Sequence, residues 1–124
     1  MNDINSKIQE YDSDIEKHKR AILNLNIAID QLAYAVKAAN ISNNISDFKK
    51  RIGTVPLSLQ KHIFENQKDL NGCKKKIGAM IRQLISDRRI VVTIKKRLEK
   101  KSIKLKVKRI KKSGNTKINK IKVK

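Results

Sequence analysis

The chain has 124 residues, enough for one domain, but only 3% are aromatic and 39% hydrophobic, which excludes a thick globular core and favours a long, thin helical assembly. Its formal net charge of +20 points to anionic partners such as nucleic acid or an acidic membrane surface. Lys outnumbers Arg 24 to 7, and Lys, Ile and Asn together supply 54 residues; AT-rich coding yields that composition without selection for binding, so charge alone names no partner.

Residues 1–40 carry an unbroken heptad pattern and predict a first coiled-coil helix. Position a holds Ile8, Ile15, Ile22, Ile29 and Val36, and position d holds Ile4, Tyr11, His18, Leu25, Leu32 and Ala39. One apolar stripe therefore runs down this helix. A polar residue in such a seam sets register, which is the reading for His18, and Tyr11 and Tyr34 are read as packing residues.

Residues 41–56 read as a broken connector. Asn40, Ser42, Asn43, Asn44 and Ser46 favour turns and caps over helix interiors. Ser46 is a candidate N-cap for a short turn through Ile52, Gly53 interrupts it, and Thr54 with Pro56 signals a second start.

A second helix is expected over 57–94, with Ile63, Leu70, Ile77, Leu84, Val91 and Leu98 seven apart at position a, and Leu105 continuing the series. Its d positions are Asn66, Cys73, Met80, Asp87, Ile94, Lys101 and Lys108, so the seam decays as they turn basic. Gly72 and Gly78 fall off the seam, as surface glycines or as the mark of a bend. A short connector favours antiparallel packing. If Asn40 sits opposite Leu57, Ile4 sits opposite about residue 93, and helix 1 runs out where the basic block starts. The seam to test is thus Ile8, Ile15, Ile22, Leu25, Ile29 and Leu32 against Ile63, Leu70, Ile77, Leu84, Val91 and Leu98.

Residues 95–124 form a basic C-terminal extension with fifteen basic residues and one acid, Glu99. Residues 1–48 sum to about −2 and residues 49–124 to about +22, an asymmetry that a uniform coding bias does not explain. Ile103 to Lys108 alternates as a strand would, yet Ile103, Val107 and Ile110 also share a helical face. Residues 117–124 could add the second arm of a hairpin; the expectation is helix to about 110, then disorder until a partner is met. Candidate partner-binding residues are Lys95, Lys96, Arg97, Lys100, Lys101, Lys104, Lys106, Lys108, Arg109, Lys111 and Lys112. Lys dominance favours point-charge attraction over bidentate recognition. The fold class expected is all-α: two long helices in an antiparallel coiled-coil hairpin with a basic, partly disordered extension.

Catalytic, cofactor and metal sites are not expected. His18 and His62 are 44 residues apart, Cys73 is the only cysteine and sits on the seam, and no phosphate loop or nucleophile motif is present. No apolar run approaches a membrane span and the start, Met-Asn-Asp-Ile-Asn, is too polar for a signal peptide, so a cytoplasmic location is expected, with peripheral attachment at the inner membrane face as a variant.

The polar connector Asn40 to Ile52 and the stretch from Gln67-Lys68-Asp69-Leu70-Asn71 through Ile77, Ile81 and Leu84 to Leu98 resemble the flagellar export protein FliJ family, over about half the chain. The family's helix 1 is longer and its tail less basic. The resemblance implies a non-enzymatic coiled-coil stalk of the type III export apparatus that contacts the export ATPase and the export gate and helps deliver substrates or free chaperones. The competing reading is a nucleic-acid-binding protein in which the basic tail neutralises phosphates and the coiled coil dimerises. Attachment to an anionic membrane is a third reading. β-branched residues at a with Leu at d suit a parallel homodimer, whereas the connector suits a monomeric hairpin.

Overall fold

A computed structural model describes residues 2–113. The fold is all-α: α1 (Asn2–Ile41), α2 (Ile45–Arg51), α3 (Leu57–Phe64) and α4 (Leu70–Ser113), with no strand among the described residues. The long helices α1 and α4 pack together, and the chain divides into two compact units, residues 23–89 and the two terminal segments that precede and follow them. α4 carries straight through 103–108 as helix rather than strand, in line with the expectation of helix to about 110, and ends at Ser113. The hairpin arm read at 117–124 lies outside the described residues.

In the unit of residues 23–89 the expected connector is a folded cap. α1 contains no glycine or proline and runs until Ser42, whose buried Oγ donates to the Ala38 carbonyl at 2.6 Å. Asn44, rather than Ser46, caps α2: its Oδ1 accepts from Asp47 N at 2.8 Å, and Asp47 Oδ2 reaches back to Asn43 N at 3.3 Å. Arg51 Nε donates to the same carboxylate at 3.1 Å; that bond, followed by the bond from Asn43 N, holds the Asp47 carboxyl below its ordinary range against the opposing effect of burial. Pro56 stands at the N-cap of α3, as its fixed φ allows, and Gln60 Nε2 ties the α2–α3 turn by donating to the carbonyls of Ile52 and Val55. The cap buries Phe48, Ile52, Val55 and Ile63 against Leu32, Ala35, Ala38 and Ala39 of α1 and Cys73 and Ile77 of α4. Phe48 is fully buried and meets the Phe64 ring edge-on, with centroids 5.4 Å apart at 72°.

Helix 2 is therefore not continuous from 57. Asn66 adopts φ 61°, a left-handed conformation that Asn tolerates better than most residues, and it ends the α3 segment. Asp69 then caps α4 by accepting from Gly72 N at 2.8 Å. Gly72 belongs to this cap rather than to a bend, since a Cβ there would run into Gln67 Oε1 and stand 2.7 Å from Asp69 Oδ1. Ile63 thus packs from α3, and the other second-helix seam residues lie on α4.

In the unit of the terminal segments, α1 and α4 run antiparallel with the α1 seam turned inward. Ile8 and Ile15 are buried, while Ile4, Tyr11, His18 and Ile22 are half-buried, as are Val91, Leu98 and Leu105 on α4. Arg109 Nη1 donates to Asn5 Oδ1 at 3.3 Å, and Ser102 Oγ to Asp12 Oδ1 at 2.8 Å. Ile4 therefore lies level with the region of Arg109, not with residue 93. The expected register fails because residues 42–69 fold as the cap instead of lengthening the second helix. As a result, the basic block from Lys95 to Arg109 has α1 beside it.

Candidate functional site

The positive charge of α4 is sorted by helical geometry into an inner and an outer set. Residues seven apart share a face, and Lys95, Ser102 and Arg109 turn toward α1. Lys95 is half-buried and pairs with Glu99 at 2.9 Å, which holds the Glu99 carboxyl below its ordinary range, with a further contribution from the charge of Lys19. Ser102, only 2% exposed, donates to Asp12. Lys106 adds a 3.4 Å ion pair to the same carboxylate. The Ser102 hydrogen bond first, and then Lys106, keep Asp12 ionised below its ordinary range. Lys95, Lys106 and Arg109 are thus engaged within the chain.

Lys96, Arg97, Lys100, Lys101, Lys104, Lys108 and Lys111 face outward and are exposed. Arg97, Lys101, Lys104, Lys108 and Lys111 recur at intervals of four and three, which lines them along one flank of α4. Lys112 belongs to α4, but its side chain is outside those described. Val107 borders this flank, and the apolar line it forms with Ile103 and Ile110, exposed by 45%, 59% and 55%, is centred about 110° further round α4. Tyr11, Leu105, Lys101, Lys104 and Lys108 border a hollow of about 420 Å³, so three lysines line it together with an aromatic and an aliphatic side chain. An exposed helix surface carrying both positive charge and aliphatic bulk suits an acidic protein surface with apolar neighbours. Against phosphates alone the isoleucines gain nothing, and Tyr11 is the one aromatic side chain bordering the flank among the described residues, short of a stacking platform.

The remaining singled-out residues make local contacts within the chain or are buried. His18 Nδ1 lies 2.6 Å from the Asp14 carbonyl within its own helix, and exposed His62 lies 3.9 Å from Glu65. Cys73 is fully buried, and burial followed by the nearby Asp69 charge pushes its thiol pKa up, which disfavours the reactive thiolate. Among the described residues no group of His, Cys, Asp and Glu could hold a metal ion, and no helix is long and apolar enough to cross a membrane.

Of the twelve seam residues named for test, Ile8, Ile15, Leu32, Ile63 and Ile77 are buried and Ile22, Leu25, Ile29, Leu70, Leu84, Val91 and Leu98 are partly buried, whereas the d positions Asn66, Ile94, Lys101 and Lys108 are exposed. Sequence reasoning missed the polar partners Asn5, Asp12 and Asn26 of α1. Asn26 Oδ1 accepts from Arg88 Nη1 at 2.7 Å in the unit of residues 23–89, and the pairs of Asn5 and Asp12 belong to the other unit. Their signal was a seven-residue recurrence of polar side chains at 5, 12, 19 and 26, adjacent to the apolar d positions. No family model, curated protein or solved structure matches the chain.

Proposed function

We propose that this chain is a non-enzymatic coiled-coil adaptor, an antiparallel helical hairpin whose α4 docks on an acidic protein surface. The observation that carries the reading is the exposed flank of Arg97, Lys101, Lys104, Lys108 and Lys111, which meets at Val107 the aliphatic line of Ile103, Val107 and Ile110. Attraction to acidic side chains would speed encounter and orient the partner, and aliphatic burial would supply most of the lasting affinity. Its resemblance to the FliJ family makes the export ATPase or the export gate of a type III apparatus the specific partner, with substrate delivery as the task and the inner face of the membrane as the place.

The test is a photo-cross-linker at Lys104 in the host, combined with the Lys101→Glu/Lys104→Glu/Lys108→Glu variant. The adaptor reading expects a cross-link to the ATPase or gate, lost together with flagellar assembly in the charge-reversed variant. Assembly that survives deletion of the gene would overturn the export reading. A cross-link to nucleic acid, with salt-dependent binding abolished by the same variant, would replace the adaptor reading with the phosphate-binding one.

A further inference from the structure

In the unit of residues 23–89, α1 carries a second, exposed stripe beside its core-facing side. Leu23, Ile27, Tyr34 and Ile41 are exposed by 59%, 47%, 46% and 63%. Asp30 and Lys37, both exposed, are the charged residues that punctuate it. At about 100° per residue, Ile27 and Ile41 lie about 20° to either side of Tyr34, and Asp30 and Lys37 lie together on one flank. The other flank is bordered by α2: Ala38 is buried there, Gln31 is half-buried, and Tyr34 Oη donates to the Arg51 carbonyl at 3.4 Å.

From Ile27 to Ile41 this stripe is nearly symmetric about Tyr34, with Leu23 lying beyond the symmetric part. Ile27 and Ile41 are each seven residues from Tyr34; Asp30 is four before and Lys37 three after. We infer that α1 self-associates through this stripe, with a second copy of the chain antiparallel across a two-fold axis at Tyr34. The axis sets Ile27 of each copy against Ile41 of the other and brings the two Tyr34 rings together. A two-fold perpendicular to the helices keeps every residue on its own flank, so Asp30 of one copy meets Lys37 of the other, about 1.5 Å out of level along the axis. Both symmetry-related pairs are attractive. A parallel pairing would instead turn the Asp30 and Lys37 flank of each copy toward the opposite flank of the other and leave both charges unmatched.

Charge elsewhere favours this helix as the meeting point. Residues 1–48 sum to about −2, whereas residues 49–124 carry about +22, so self-pairing through α4 would set like charges together. The a and d side chains of α1, which a parallel coiled coil would need, are occupied within the chain by Ile77, Cys73 and the cap in this unit. Four large side chains per copy make a small interface, below the roughly 1,200 Å² of a stable one. The dimer is therefore weak, with a micromolar dissociation constant, and does not depend on the partner proposed for α4.

Sedimentation equilibrium of the full chain across a micromolar to submillimolar series tests this, with helicity checked by circular dichroism. The inference expects a reversible monomer to dimer shift. Ile27→Glu should weaken it at least about a hundredfold. Asp30→Lys or Lys37→Asp alone should weaken it roughly tenfold, because each turns two attractive pairs repulsive, and the double swap should restore it. A monomer at every concentration overturns the inference. So does a dimer indifferent to Ile27→Glu, or one that the double swap fails to rescue.

Discussion

Phe48 distinguishes a folded cap from a loose connector, and its removal has a calculable cost. The ring is fully buried in contact with Phe64, in a core formed by all four helices. Phe48→Ala removes the transfer free energy of the ring and leaves a cavity, a change that costs about 3–5 kcal/mol in well-packed cores. Loss of the edge-on contact, about 0.5–1.5 kcal/mol beyond area burial, belongs within that figure. Lys49 Nζ stands 5.1 Å from the Phe64 ring centroid, so disordering that ring would also weaken a cation–π contact. For a unit of this size 1 kcal/mol shifts the melting temperature by about 4–8 °C, so a fall of about 12–40 °C is expected in the transition of residues 23–89. The assay is thermal unfolding followed by far-ultraviolet circular dichroism, with hydrogen exchange at Ile52 and Ile63 reporting the cap itself. Phe48→Leu, which keeps much of the volume, should lose less than half as much. A loss below about 0.5 kcal/mol for Phe48→Ala, the value for an exposed side chain, would refute the cap.

Asp12, Asp47 and Glu99 all titrate below their ordinary range in the folded chain. A depressed folded pKa contributes stability above the unfolded value, near 4, and loses it as pH falls through the folded value. Urea midpoints should therefore be flat near neutrality and drop below about pH 4, and Asp12→Asn should remove part of the drop; a midpoint unchanged down to pH 2 would contradict these pairings. Ser102→Ala should raise the Asp12 carboxyl pKa measured by NMR toward its ordinary value, since the Ser102 hydrogen bond is the largest cause of its depression; an unmoved titration would discount that bond. Asn66→Gly should be tolerated or mildly stabilising at φ 61°, whereas Asn66→Val should cost about 1–2 kcal/mol, read by denaturant unfolding. Gly72→Ala should destabilise despite the higher helix propensity of Ala, because its Cβ meets the Asp69 cap; a gain in melting temperature would show that the cap gives way freely.

The sequence by itself determined the helical class and the inward stripe of α1, because a seven-residue apolar recurrence leaves a helix one face to bury. It also located the basic stretch, since composition is local. It left open which of those charges reach solvent. Tertiary structure decided that, through the pairing of α1 with α4 in the unit of the terminal segments: Lys95, Lys106 and Arg109 are drawn into contacts within the chain, and Lys101, Lys104 and Lys108 remain outside. The register was not legible because it depends on how many residues separate the helices in space, and Phe48, Ile52, Val55 and Ile63 look like scattered apolar residues until they meet in one core. A seven-residue series cannot reveal the break between Ile63 and Leu70 either, since the spacing survives when the helix does not. That break rests on the left-handed turn at Asn66 and the cap at Asp69, and it moves the start of α4 to Leu70.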